Sequence, residues 1–186
     1  MAQYIMSITA QDRSGIVAGV SDAILALKGN LEAASQTVHQ GYFAMILLCA
    51  FPDTIVEQEV TRLIREKAGS DLHVFITTYQ TSWPMKTNCQ TQSFIVTAVG
   101  PDKPGILHQL SAYLASKDIN IDDLYACIDG NDFIVICQVS VPSDLDIFIL
   151  QSDLDNFGKS KGFTAHMQHE NIFVATNELR LGKISS

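Results

Sequence analysis

Positive charge is scarce in this sequence: 12 lysines and arginines stand against 20 aspartates and glutamates, a net charge of −8. A protein that grips nucleic acid directly must replace counterions around phosphates with a basic patch. The cations here are scattered from Arg13 to Lys183. That excludes direct nucleic-acid binding as the leading reading, and any role in transcription would run through another protein. Cysteine is equally thin, with only Cys49, Cys89, Cys127 and Cys137 and no C-x-x-C, so no paired-thiol or zinc motif is present. Cys49, Cys127 and Cys137 fall in apolar, strand-like runs and read as small core residues. Cys89 lies in a polar stretch and reads as the accessible one. No apolar run reaches the ~18 residues of a membrane span. The start, MAQYIMSITAQDRSG, has no basic stretch ahead of an apolar one, so the expectation is no signal peptide and a cytoplasmic protein.

Catalytic signatures are missing too. There is no G-x-S-x-G, P-loop, H-E-x-x-H or Rossmann fingerprint. His166 and His169 come nearest to a metal pair, but residues three apart on a strand face opposite sides. Asp122-Asp123 has the same difficulty and reads as a solvated strand start, and His108 as a surface residue. The expectation is a protein without catalytic residues, metal or cofactor.

What is present is a repeat. Displaced by 90 residues, the sequence overlays on itself without a gap: Ile5 on Ile95, Asp12 on Asp102, Gly15 on Gly105, Asn30 on Asn120, Phe43 on Phe133, Pro52 on Pro142. A register held this long argues for duplication of one folding unit. Each copy reads β-α-β-β-α-β. In the first, Gln3–Thr9 is a strand and Gly15–Lys28 a helix with Ile16, Val20, Ile24 and Leu27 inward. Gly29-Asn30 is expected to end that helix in a left-handed turn. Leu31–His39 and Tyr42–Phe51 are strands. Thr54 with Glu57 forms a capping box opening a second helix, and Leu72–Tyr79 is the last strand. In the second copy, Pro104–Lys117 and roughly Ser143–Lys161 are helices, and Ser93–Val99, Asn120–Asp129, Asp132–Val141 and Phe163–Val174 are strands. The domain division is 1–80, a linker 81–91 carrying Trp83, 92–175, and a tail 176–186. The fold class is α+β: two ferredoxin-like βαββαβ modules in tandem, antiparallel sheets with helices on one face. Phe43–Phe51 and Phe133–Val141 are apolar at nearly every position and are expected to be covered on both faces, one by the helices and the other by the other copy or a second chain.

Strand, then D-R-S-G-I-V opening a helix, then G-N-L into a strand, resembles the ACT domain. The second copy, D-K-P-G-I-L followed by D-I-N-I, resembles it more closely. The resemblance implies a regulatory protein that binds an amino acid, glycine or another, or a similar small metabolite at a domain interface. It also implies a homodimer or a tight pseudo-dimer and action through a protein partner. The alternative is a regulatory or assembly module of an amino-acid or one-carbon metabolic enzyme, without its own catalysis. By position the implied contacts are Asp12, Ser14, Gly15 and Asn30 in the first copy. In the second they are Asp102, Pro104, Gly105, Ile106 and Asn120. The turn chemistry agrees: unpaired N–H groups at a helix N-terminus suit a carboxylate, and an Asp suits an ammonium. Asp12 and Asp102 could instead simply cap their helices. The Pro104 turn, with its backbone angle preset, is expected to be the stronger site.

Overall fold

The computed structural model describes residues 1–80 and 90–173. Trp83, Cys89 and the tail 176–186 lie outside the described residues. The chain divides into two compact units, Met1–Met85 and Lys86–Ser186. Unit 1 contains β1 (Ala2–Gln11), α1 (Ile16–Ala26), β2 (Asn30–His39), β3 (Tyr42–Phe51), α2 (Glu57–Ala68) and β4 (His73–Thr78). Unit 2 repeats them as β5 (Thr91–Pro101), α3 (Ile106–Ser116), β6 (Asn120–Asp129), β7 (Asp132–Pro142), α4 (Ile147–Lys161) and β8 (Thr164–His169). The sheets run β2-β3-β1-β4 and β6-β7-β5-β8, antiparallel at every pairing. This is the α+β, ferredoxin-like tandem that the repeat implies.

Period-two alternation decides which face is core. Met6, Ile8 and Ala10 of β1 and Phe43, Met45, Leu47, Cys49 and Phe51 of β3 point one way and are buried with Ile16, Val20, Ile24, Val60 and Ile64 of the helices. The same set in unit 2 is Phe94, Val96, Ala98, Val135, Cys137, Val139, Leu110, Leu114, Leu150 and Leu154. Each large side chain contributes about 1.5–3 kcal/mol on burial, against about 0–1 kcal/mol for an exposed ion pair such as Arg62–Glu66. The apolar face holds the fold.

Within its unit β3 leaves its outer face open, with Ile46 54% exposed. Several expectations need correction. Cys127 lies on the partly exposed β6 and not in the core. Thr54 does not open α2: Ile55 N donates to Pro52 O at 2.9 Å, and that turn uses up Thr54. The helix begins at Glu57 after an extended Val56, with no side-chain cap. In unit 2 the matching turn, Leu145 N to Pro142 O, delays α4 until Asp146 caps it by accepting from Phe148 N and Ile149 N. The left-handed residues after α1 and α3 are Lys28 (φ 55) and Asp118 (φ 58), so Gly29 and Asn30 do not end α1 in that way. Gly29 serves packing, because a Cβ there would lie 2.5 Å from the Phe51 ring.

Another glycine sets the spacing of helices. A Cβ on Gly19 would lie 2.6 Å from Ala68 Cα, so α1 meets α2 backbone to backbone. Its counterpart is Gln109, and there Tyr113 stacks on Phe157 (4.6 Å between centroids) to fill the wider gap. In an open helix Gly→Ala gains about 0.5–1 kcal/mol. At Gly19 the clash with backbone reverses the sign, and Gly19→Ala is expected to destabilise by about 1–3 kcal/mol, read as a lower urea midpoint.

Candidate functional site

The two glycine turns are built alike. Gly15 (φ 96, ψ −13) and Gly105 (φ 108, ψ −7) are the N-caps of α1 and α3, both left-handed and both without a side-chain cap. That φ/ψ is the third position of a type II turn, where glycine is favoured and proline is favoured just before it. Pro104 therefore sits in the turn ahead of the helix, not inside its first turn. The first helical bonds are Gly19 N to Gly15 O and Gln109 N to Gly105 O, both 2.9 Å. The preceding N–H groups, of Ile16 to Ala18 and of Ile106 to His108, have no intrahelical acceptor and lie at the positive end of the helix dipole.

Neither aspartate caps its helix. Asp12 N and Asp102 N donate to Gly41 O (2.8 Å) and Asn131 O (2.9 Å), which pins each turn to the neighbouring hairpin. The carboxylates of both are exposed, and among the described residues no hydrogen bond holds them. Ser14, Gly15, Pro104 and Gly105 are exposed as well, whereas the Ile106 side chain is buried and leaves only its N–H for a ligand. Nothing within 4 Å would meet a Cβ on Gly15. Glycine is needed there for its φ.

Asn30 and Asn120 lie elsewhere. Asn30 pairs with Ala50, which pairs with Gln3 at the start of β1. Asp12 follows the end of the same strand. From Gln3 to Gln11 is roughly 26 Å at ~3.3 Å per residue. Asn120, opposite Ser140 and Ser93, is separated from Asp102 in the same way. The candidate contacts thus form two clusters at opposite ends of each sheet.

The asparagine end contains a device that periodicity does not show. Both edge strands carry a bulge, at Leu31/Ala33 and at Ile121/Asp123, so Glu32 and Asp122 are the extra residues. Asp122 is no idle solvated residue: it accepts from Asn120 Nδ2 (2.7 Å) and from Ser140 Oγ (2.6 Å). Glu32 accepts from Gln3 Nε2 at 2.8 Å. In unit 1 the turn has its own clamp. Arg13 makes a two-pronged bond to Asp71 (2.7 and 2.8 Å) and donates to Ala68 O at 2.8 Å. That bond holds the Asp71 carboxyl below its ordinary range. Lys103 stands in the place of Arg13 in unit 2.

The buried thiols are not nucleophiles. Burial, with a smaller push from Glu32, raises Cys49 to about 11, and burial alone raises Cys137 to about 11. His169 packs its ring on Phe94 at 5.2 Å while His166 points to the opposite face. Among the described residues no group of His, Cys, Asp or Glu is placed to hold a metal, and no helix is long and apolar enough to cross a membrane.

Residues 92–168 match the family model of the ACT domain. The "UPF0237 protein" of Methanosarcina acetivorans is 33% identical over 81 residues, 43% of this chain and 88% of that protein. The one from Corynebacterium glutamicum is 40% identical over 69 residues, 35% of this chain and 78% of that one. These relatives are about one unit long. The chain belongs to the UPF0237 group of ACT-domain proteins. Two solved structures share its tandem fold. A protein of Galdieria sulphuraria described as unknown has 21% identity, a TM-score of 0.72, and coverage of 90% of this chain and 98% of that one. A candidate glycine cleavage system transcriptional repressor has 17% identity, a TM-score of 0.69, and coverage of 90% and 96%.

Because Asp102 does not cap α3, Asp102→Ala is expected to leave the unfolding free energy within about 0.5 kcal/mol of the parent; denaturant titration checks this. Asp71 behaves oppositely. Its folded-state pKa is depressed, so its contribution is present above the ordinary carboxylate pKa and is lost as pH falls through the lower, folded value. The midpoint of Asp71→Asn should lie below that of the parent near neutrality and converge with it in acid, which thermal scans across pH would show.

Proposed function

We propose that this is a cytoplasmic, non-enzymatic regulatory protein of two ACT modules, 1–80 and 92–175. It senses an amino acid or similar small metabolite and modulates transcription or metabolism through a protein partner. The observation that carries this reading is the division of the site. One end of each sheet offers free helix N–H groups beside an unpaired aspartate, chemistry suited to a carboxylate and an ammonium of one zwitterion. The other end offers an asparagine amide beside an acidic bulge residue. A site completed across two modules accounts for both.

The edge strand supports how they meet. β2 runs in the same direction as β1 and, among the described residues, has no strand beyond it. From Ala33 to Val38 it carries no charge, so a second β2 could pair with it without like-charge conflict. Antiparallel pairing about a two-fold would carry Asn30 of one copy toward the Asp12 end of the other. The chain is on this reading a homodimer. The turn of unit 2 is the stronger ligand site. Pro104 presets its backbone, and the Asp122–Ser140 network already orients Asn120, so less freedom is lost on binding.

The test is a thermal-shift panel of amino acids, with glycine included because of the fold likeness to the candidate glycine cleavage repressor. A ligand of the native state raises the melting temperature. Calorimetry on Asp102→Ala should then show affinity reduced by about tenfold or more, equivalent to about 1.4 kcal/mol, with a smaller loss in Asp12→Ala. No amino acid raising the midpoint at millimolar concentration, or an unchanged affinity in Asp102→Ala, would count against the assignment. Sedimentation showing a monomer with ligand bound would remove the dimer.

A further inference from the structure

The two units treat their last strands differently. In unit 1, Tyr79 N donates to Gln3 O at 2.8 Å. Antiparallel bonding alternates, so His73, Phe75 and Thr77 exchange bonds with β1. Val74, Ile76 and Thr78 then turn their N–H and C=O groups toward the free edge. Unit 2 has the same register, with Met167 of β8 in the place of Ile76. There the edge is closed from above: Gln151 Nε2 of α4 donates to Met167 O at 3.1 Å. The matching residue on α2 is Thr61. Its side chain is too short to reach, and no hydrogen bond of its side chain is found among the described residues. An unprotected strand edge is a template for another strand, and among the described residues one module shields it while the other does not.

The open edge borders a groove of about 540 Å³ between α2 and β4, lined in part by Thr61, Arg62, Arg65, Val74 and Ile76, with Glu57 at the start of α2 as its one lining carboxylate. Arg65 Nε donates to Leu72 O at 3.1 Å, which aims the guanidinium along the groove. Its terminal amino groups meet no carboxylate among the described residues. In unit 2 Ser152 and Asp155 take the places of Arg62 and Arg65, and Asp155 is tied to Lys159 at 2.6 Å. The open edge therefore has beside it a cation, Arg65, with no carboxylate partner among the described residues, where the closed edge has a carboxylate already paired.

We propose that unit 1 docks an extended segment of a partner protein as an added strand on β4, and that this segment carries carboxylates at alternate positions. Side chains of an added strand that share the face of Val74 and Ile76 lie against α2, where Arg65 receives them as charge-assisted hydrogen bonds, beside Arg62, which Glu66 already holds at 2.7 Å. Those in between lie beside Phe75, 67% exposed on the outer face, and are apolar. This inference rests on the reading that the protein acts through a protein partner and is independent of the amino-acid site.

The probe is a fluorescein-labelled synthetic octapeptide of alternating valine and glutamate, titrated with the full chain by fluorescence anisotropy, beside a valine–lysine control. Saturable binding of the glutamate peptide below ~1 mM is expected. Arg65→Glu should weaken it by about tenfold or more. Thr61→Gln, which copies the closure seen in unit 2, should do so by a similar factor, and Gln151→Thr should leave it unchanged. N-methylation of one alternate set of peptide amides should abolish binding while methylation of the other set leaves it intact, because a strand offers only one edge to β4. Unfolding midpoints verify that each variant is folded; if one is not, the methylated peptides decide alone. No saturable binding, binding indifferent to both Arg65→Glu and Thr61→Gln, or equal effects of the two methylated sets would overturn the proposal. An amino-acid response that survives in the same samples would show that only the docking surface has failed, and Asp102→Ala should bind the peptide as the parent does.

Discussion

The ladder between β1 and β3, with its copy between β5 and β7, is the constraint on which the other features of each unit depend. It runs unbroken from Ala2 opposite Phe51 to Gln11 opposite Tyr42, so every side chain on it is committed to one face. A slip of β1 by one residue would exchange Met6 and Ile8 for Ile5 and Ser7 under the helices, and the core would lose two of its largest members. The same ladder places the glycine turn beside the β2–β3 hairpin and the start of β2 at the far end. The distance between the two halves of the candidate site is thus a property of strand length, and no side-chain movement within a unit can close it.

Duplication gave the protein two such frames, and the differences between them bear on function more than the similarities do. Unit 1 draws α1 onto α2 through Gly19, clamps its turn with Arg13 and Asp71, and leaves its β4 edge open beside arginines. Unit 2 fills the helix gap with Tyr113 and Phe157, sets its turn with Pro104, organises Asn120 through Asp122, and closes its β8 edge with Gln151. Apart from the helix contacts at Gly19 and at Tyr113 and Phe157, which pack on the cores, each choice is made at a turn or an edge, away from the apolar faces that carry most of the stability. The frame can therefore stay constant while the turns and edges diverge.

Much of this was legible from residues alone, and the failures share a cause. The repeat, the helical stripes at Ile16, Val20 and Ile24, and the alternation along β1 are short-range periodic signals, and they led directly to two βαββαβ units. The glycine turns are located by the repeat, which sets Gly15 on Gly105; their left-handed backbone comes only from the structure. What was not readable depends on pairing between distant segments. Arg13 and Asp71 are 58 residues apart. The bulge that makes Asp122 a partner of Asn120 and Ser140 exists only once β6 is registered on β7. Thr54 and Glu57 have the spacing of a capping box, but the turn begun at Pro52 claims the backbone first. Asp12 and Asp102 have the chemistry of caps, yet a positive φ at Gly15 and Gly105 gives the N-cap position to the glycines. The family resemblance groups Asn30 with Asp12, and only the sheet reveals how far apart they stand.

The placement of one thiol deep in each core has a use of its own. Cys49 and Cys137 are both fully enclosed and both held in the unreactive protonated form. Neither meets a labelling reagent until its own sheet opens, and the two lie on different sheets. The rate at which each is modified under native conditions therefore reports the opening of its own unit. The chain carries an internal pair of clocks, one per unit, that can reveal whether the two halves open together or one at a time.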